Sequence, residues 1–439
     1  MRSADREENQ TPEETDRSRS GHDAVALTAK ARARILGYVA ALMFTMAFSD
    51  PTSGLLDVPI SFLLKNKLSI DAQQLSQFRL IVAIPLFLSF LFGLARDSFG
   101  AAFGGDRAII SGSAILSALA FIVFAFRPLT YSNLMIVIMM TTICSLFTTS
   151  ALNGLSATLG QQHAMCGQMS SLWNLFTAVP AAIAYIAGGF ISDFLSALDP
   201  DHAARILFLV GFFASIALAL VARLGRVSAD RFEQRERPVM LSPRAEAARF
   251  LRSKAVYVPL VMWFLWNFSP GTGTPLQFEL QNRFGAQDWQ WGAWNAIYTV
   301  SFMPAYVLFA WLCQRVSVDK LLFWGTVIAI PQYAPLLLVK SAEGAIWAAV
   351  PVGLLGGIAT CAYLDLLMRS CPQGLQGTTL MVAGGLYFAS VRGGDLLGSY
   401  VYTHFDGFTA IVAASSLSSA LILPLLHFVR APDKDEGLS

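Results

Sequence analysis

"ILFLVGFFASIALALVARLGRVSADRFEQRERPVMLSPRAEAARFLRSK", residues 206–254, changes character partway along. Residues 206–222 are almost wholly apolar, whereas 223–254 hold nine basic side chains against four acids. An apolar run of nearly 20 residues matches a bilayer core about 30 Å thick. Arginines crowded at the end of such a run mark the side on which the chain leaves lipid, which is normally the cytoplasm. The stretch therefore reads as a membrane span followed by a long basic loop, and comparable apolar runs recur on both sides of it.

The chain has 439 residues, 55% hydrophobic and 14% charged. A soluble domain carries about a quarter charged residues, so lipid is the expected solvent for most of this one. A net charge of +2 gives no footing for a nucleic-acid partner. Residues 1–34 are mostly polar and of mixed charge, and 1–30 have no apolar core, which predicts a disordered tail rather than a signal peptide. Twelve helices are predicted, over roughly 35–64, 74–95, 107–126, 132–153, 167–192, 204–223, 255–283, 288–313, 319–340, 343–371, 373–400 and 406–430. The basic stretch 224–254 then separates a six-span bundle at 35–223 from another at 255–430, with a short tail at 431–439. Lys30, Arg32 and Arg34 before span 1 agree with the loop in placing both termini in the cytoplasm, in a bacterial inner membrane.

Both first spans are interrupted. "AFSDPTSG" (47–54) is echoed by "NFSPGTGTP" (267–275), at an offset of 220. Irregular backbone survives at membrane depth only where it is buried in protein or lines a cavity. Gly/Pro-interrupted spans in corresponding positions of two halves point to a transporter's central site. Asp50 sits about 22 Å into span 1, and Asp57 follows seven residues later, on nearly the same face of a continuous helix. A pair of acids in such a place suggests a proton or cation coupling site. The competing reading has Asp50 capping a half-helix that starts at Pro51. Asn267 opens the second interrupted stretch.

Other ionisable residues within the spans are candidates for the same path, because burying them in lipid is costly. Arg79 falls near the outer start of span 2 and Glu279 near the outer end of span 7. Asp365 in span 10 precedes Arg369 by four residues, which permits a helical ion pair. Arg392 lies deep in span 11, three residues before Asp395. Its planar fork suits a carboxylate or phosphate, and an internal pair with Asp395 is the alternative. Gly393, Gly394 and Gly398 allow close helix packing beside it. The tryptophans of "DWQWGAW" (288–294) read as an interfacial belt.

Two sets of motifs carry a resemblance. "GLARDSFGAAFGGDR" (93–107), between spans 2 and 3, is similar to the loop motif of the major facilitator superfamily, with Gly93, Asp97 and Arg107 at the matching positions. The resemblance implies an all-α membrane protein of twelve transmembrane helices in two pseudo-symmetric six-helix bundles, monomeric, with this loop latching the cytoplasmic side. "PISFLLKNKLSIDAQQLSQF" (59–78), "IPLFLSFLFGLARDSF" (84–99), "FSPGTGTPLQFELQNRFGAQDWQWGAW" (268–294) and "MRSCPQGLQGTTLMVAGGLYF" (368–388) resemble the folate–biopterin transporter branch. This chain departs from that branch by loss of charge. Leu86 and Ser89 stand where a Trp and a Lys are usual, Asn153 and Gln161 where acids are expected, and Gln376 where a Glu commonly follows the Cys-Pro-x-Gly turn.

Several chemistries find no support. The chain has no GxxxxGK[ST] loop, no HExxH and no GxSxG. Its five cysteines show no metal-ligand spacing, so neither an enzyme nor a cofactor is expected. The expected function is alternating-access transport of a small polar or anionic organic solute, proton-coupled through the span 1 acids, with pterin or folate implied by the resemblance. An exporter of amphiphilic compounds and a non-transporting solute sensor are the alternatives.

Overall fold

The computed structural model describes residues 28–429, apart from 53, 70–71, 101, 226–242, 272, 287 and 405–407. Of the tail expected at 1–34, residues 1–27 lie outside the described residues, as do most of the central loop and the tail at 431–439, while 29–34 are helical and belong to span 1. Span 1 runs as Ala29–Ser49 and Gly54–Phe62, and span 2 as Ala72–Phe87 and Ser89–Phe99. Spans 3 to 6 are Asp106–Ala125, Tyr131–Gln162, Cys166–Ser196 and Pro200–Leu224. A linker helix, Pro243–Arg252, leads into span 7, Lys254–Asn267 and Thr274–Phe284. Span 8 is Asp288–Ser301 and Met303–Leu312, and span 9 is Val318–Ala329 followed by a 3-10 turn, Ala334–Leu338. Spans 10 to 12 are Ala342–Ser370, Gln376–His404, and Phe408–Ala420 with Ile422–Leu426.

Local chemistry fixes several ends. Thr28, Thr130 and Ser341 cap spans 1, 4 and 10, their hydroxyls accepting from the N–H groups of Ala31, Asn133 and Gly344. Capped by Thr28, span 1 starts at Ala29, nearly two turns before the start at 35 that the apolar pattern predicts. Span 2 bends by 50° at Leu88. Side chains meet part of the interrupted backbone of spans 1 and 7. Asp50 Oδ1 accepts from Thr52 N–H at 2.9 Å and from the Thr52 hydroxyl at 2.8 Å. The Ser418 hydroxyl of span 12 lies 3.0 and 2.6 Å from the Leu265 and Phe268 carbonyls. A Cβ on Gly394 would stand 3.0 Å from Ser269 N, and one on Gly398 would strike the Pro270 carbonyl. The glycines of span 11 are thus the bed on which broken span 7 rests.

We call the side bearing the linker helix the linker face and the opposite side the far face. One apolar cluster joins the two bundles near the linker face, from Ile35, Val39, Leu155 and Met165 to Leu364, Leu367, Met368 and Leu380. Toward the far face each bundle has its own core. One is built on Leu56, Phe78, Phe121 and Phe208, the other on Leu276, Trp294, Tyr333 and Phe408. Trp294, read from sequence as an interfacial residue, is only 1% exposed and belongs to that core.

Candidate translocation path and gate

Hydrogen bonds between the bundles cluster on the linker side and form two groups. The first is built on the last turns of span 2. Asp97 Oδ1 accepts from Gly377 N–H at 3.2 Å and Oδ2 from Thr378 N–H at 2.6 Å, so a side chain of the first bundle caps span 11 of the second. Negative charge at a helix N-terminus is favourable. Arg96 Nη1 donates to Asp97 Oδ1 at 2.7 Å, and the rest of its fork grips Asp106, with Nε 2.6 Å from Oδ1. The cation in this network is therefore Arg96; Arg107, expected in that role, lies over the Tyr38 ring at 5.3 Å. Gly93 lets the helices touch, since a Cβ there would stand 2.7 Å from Thr378 Cα.

The second group is uncharged. Gln161, at the end of span 4, donates from Nε2 to the carbonyls of Met368 and Cys371, both at 2.8 Å. Gln376 Nε2 donates to Gln161 Oε1 at 3.1 Å. Two of the positions where sequence comparison finds charge replaced by amide are thus hydrogen-bonded neighbours. Ser171 donates to the Tyr306 carbonyl, and Ser89 to the Met381 carbonyl at 2.9 Å. Asp365 pairs with Arg369 at 2.8 Å, as its spacing predicts, and is fully buried. Its other oxygen, Oδ2, has no hydrogen-bond partner. That oxygen faces the start of span 5, where a Cβ on Gly167 would stand 3.2 Å away.

Farther from the linker face the expected site residues separate. The helix is interrupted at 50–52, so Asp50 and Asp57 do not share the face of one continuous helix. Asp50 anchors the turn over Pro51, close to its expected capping role, while Asp57 lies in the first turn of the half-helix that follows. Asp57 lines an otherwise largely apolar cleft of about 160 Å³ with Thr52, Phe78, Val82, Leu86 and Ile138. Asn267 donates to the Trp263 carbonyl one turn back, at 2.8 Å. Asp395 is directed at Gly273 in the break of span 7, where a Cβ would collide with its Oδ1. Arg392 is exposed and has no ion-pair partner among the described residues, so the Arg392–Asp395 alternative is not realised. Glu279 is buried rather than interfacial, bonded to Arg283 at 2.8 Å and to the Tyr402 hydroxyl at 3.2 Å. Arg79 stands in span 2, with its side chain outside the described residues.

Sequence reasoning missed an aromatic ladder. Trp294, Tyr298, Phe302 and Tyr306 recur every fourth residue, the spacing that stacks side chains on one helical face. Successive ring centroids are 4.9, 4.9 and 5.8 Å apart. Tyr387, 41% exposed, packs edge-on against Phe388 at 5.4 Å. It precedes Arg392 by five residues, so a free guanidinium and an accessible ring occur within two turns of span 11.

Two bundles of six spans, meeting at one face around a helix-capping aspartate, define a carrier of the major facilitator type. The family model of the Major Facilitator Superfamily matches residues 35–393, and the chain belongs to that superfamily. It is 22% identical over 416 residues to the folate-biopterin transporter of Synechocystis sp., covering 89% of this chain and 81% of the relative. It is 18% identical over 328 residues to folate transporter 2 of Plasmodium falciparum, covering 74% and 70%. Among solved structures it is similar to the transporter FucP in the outward conformation (TM-score 0.64, 15% identity, 90% of this chain and 98% of that one). It is also similar to an outward-facing bacterial homologue of the iron transporter ferroportin (TM-score 0.60, 14% identity, 92% and 99%). The protein is an integral membrane transporter of this superfamily.

Proposed function

We propose that the chain is a secondary active transporter that moves a small anionic organic solute by alternating access, with pterin- or folate-like compounds as the first candidates. The observation that carries this reading is Arg392, exposed and without an ion-pair partner among the described residues, in the middle of a membrane helix. A guanidinium left bare in hydrocarbon costs several kcal/mol, so it faces a polar space and is available to an anion. Tyr387 offers a ring on the same helix, and the chain is similar to transporters named for folate and biopterin. Asp57, opening on its cleft, and Asp50, in the break, are the candidate proton carriers. The arginine-rich linker supports a cytoplasmic linker face, which makes the present conformation outward-facing.

The test is thermal stabilisation of the purified protein by folates, pterins and a wider panel of metabolites, since a ligand bound to the native state raises its stability with concentration. Arg392→Ala should weaken an anionic ligand about 10- to 150-fold, the worth of a charge-assisted hydrogen bond. Equal affinity in the variant refutes Arg392 as the anion site. Uptake into vesicles follows: Asp50→Asn or Asp57→Asn should abolish accumulation driven by a pH gradient while sparing exchange. Binding without any uptake would mark a sensor instead.

A further inference from the structure

The linker helix belongs covalently to one bundle and packs on the other. Only Ser253, with φ −78° and ψ 88°, separates its last residue from span 7. The Tyr257 hydroxyl donates to the Leu251 carbonyl at 2.6 Å, tying the helix end to that span. Yet its body lies against Ser89–Phe99 of span 2. Glu246 is 2% exposed and its Oε2 has no hydrogen-bond partner. Phe250 packs on the apolar cluster that joins the bundles. Arg249 Nη2 donates to the Gln373 carbonyl at 2.8 Å, in the turn between spans 10 and 11. That turn is also held by Gln161 through Cys371, and by Asp97 through Gly377 and Thr378. The gate and the linker converge on it.

We propose that the linker helix is a working part of the gate, with Arg249 and Glu246 as opposed positioning residues that set how readily the linker face opens. The proposal rests on alternating access but not on any particular solute. Spans 2 and 7 belong to different bundles, so parting them forces the helix either to leave span 2 or to swing about Ser253. Arg249 fixes the helix to its own bundle through the bond to Gln373, so that its packing on span 2 bridges the two bundles and a swing about Ser253 breaks that bond. Glu246 opposes docking, because it buries a carboxylate whose Oε2 finds no donor. A helix held and resisted in this way has two accessible positions, which a passive tether does not need.

The native cysteines report the gate directly. Cys166 and Cys371 are buried where the bundles meet, and Cys144 is buried within span 4 as an internal control. The full-length protein in nanodiscs is treated with N-ethylmaleimide, and each cysteine is quantified by mass spectrometry. Arg249→Ala should speed labelling of Cys166 and Cys371 about three- to tenfold, the worth of one exposed charge-assisted hydrogen bond, with Cys144 unchanged. Arg249→Lys should fall between Arg249→Ala and the native protein. Glu246→Gln should slow the same two sites. Opposite signs from two substitutions on one helix are not expected of a merely structural role, which would loosen the protein in both. Unchanged gate labelling in Arg249→Ala, faster labelling in both variants, or a parallel rise at Cys144 would each overturn the proposal. Because thiols are read rather than solute, it can fail or stand separately from the substrate assignment.

Discussion

Replacing Gln161 by Glu is a near-isosteric change aimed at the uncharged side of the gate. The native amide donates to the Met368 and Cys371 carbonyls, each at 2.8 Å. In the glutamate variant an acceptor would stand where the donor was, facing two carbonyl oxygens. The amide N–H of Gln376, 3.1 Å from the other oxygen, would still be satisfied. Two neutral hydrogen bonds contribute about 1–3 kcal/mol net, and the loss falls only on the state in which the linker face is closed. The closed-to-open ratio should therefore drop about 5- to 150-fold. Pulsed electron paramagnetic resonance between labels at Arg127 and Lys340, in two exposed far-face loops, reads this ratio. The native protein should show the longer separation and the variant a growing population at the shorter one. Acidification, which returns a donor to position 161, should restore the longer distance. An unchanged distance distribution in a folded variant would mean that the amide clasp contributes nothing to closure.

Gly93→Val should hold the linker face open, since its Cβ would stand 2.7 Å from Thr378 Cα; the same distance pair should shift without loss of helical circular dichroism. Arg96→Met removes the cation held between two buried carboxylates and should destabilise the fold by about 3–5 kcal/mol, seen as a lower melting temperature, whereas Arg107→Met should cost less. Burial pushes the Glu246 carboxyl above the usual carboxylate range, opposed by Arg249 and assisted by Asp97. The docked helix thus binds the proton more tightly than the undocked one. Lowering the pH on the linker side through the carboxylate range should stabilise docking and slow Cys371 labelling relative to Cys144, and raising it should reverse this. Glu246→Gln should flatten that dependence; a slope that survives in the variant rules out Glu246 as its source.

Much of this architecture was legible because lipid tolerates few alternatives. Apolar runs of bilayer length, the basic loop and the paired Gly/Pro interruptions led directly to two bundles with broken first spans. The Asp365–Arg369 pair was readable from helical spacing alone. Arg392 and Asp395 satisfy a similar rule and do not pair, because Asp395 is drawn toward Gly273 of another span. Spacing shows what one helix permits, and it is silent about competitors from its neighbours. Arg96 escaped notice because Arg107 fits the loop motif equally well on paper; only the fold shows which guanidinium reaches Asp106. The aromatic ladder on span 8 was visible as a fourfold i, i+4 repeat and was hidden by reading the tryptophans as a belt.

The loss of charge along this chain gains a physical meaning from where it falls. The Arg96–Asp97–Asp106 side of the gate keeps its charges, and Asp97 faces a helix N-terminus that favours a carboxylate. On the other side, carboxylates at both 161 and 376 would place like charges in hydrogen-bond contact, with backbone carbonyls the nearest partners of one of them. Such a pair could close only by taking up a proton or recruiting a cation. Two glutamines close it without either, because each amide carries donors and an acceptor. Under alternating access, closure on this side should therefore be independent of pH and weakly sensitive to salt, whereas the charged latch and Glu246 on the linker helix should respond to both. Any proton that drives this carrier would then act on its carboxylates, with those of span 1 and Asp365 the first to test, rather than on the amide clasp. Solvent-isotope and pH effects on gate opening should accordingly survive the loss of Gln161 and change when Asp57 or Asp365 is made an amide.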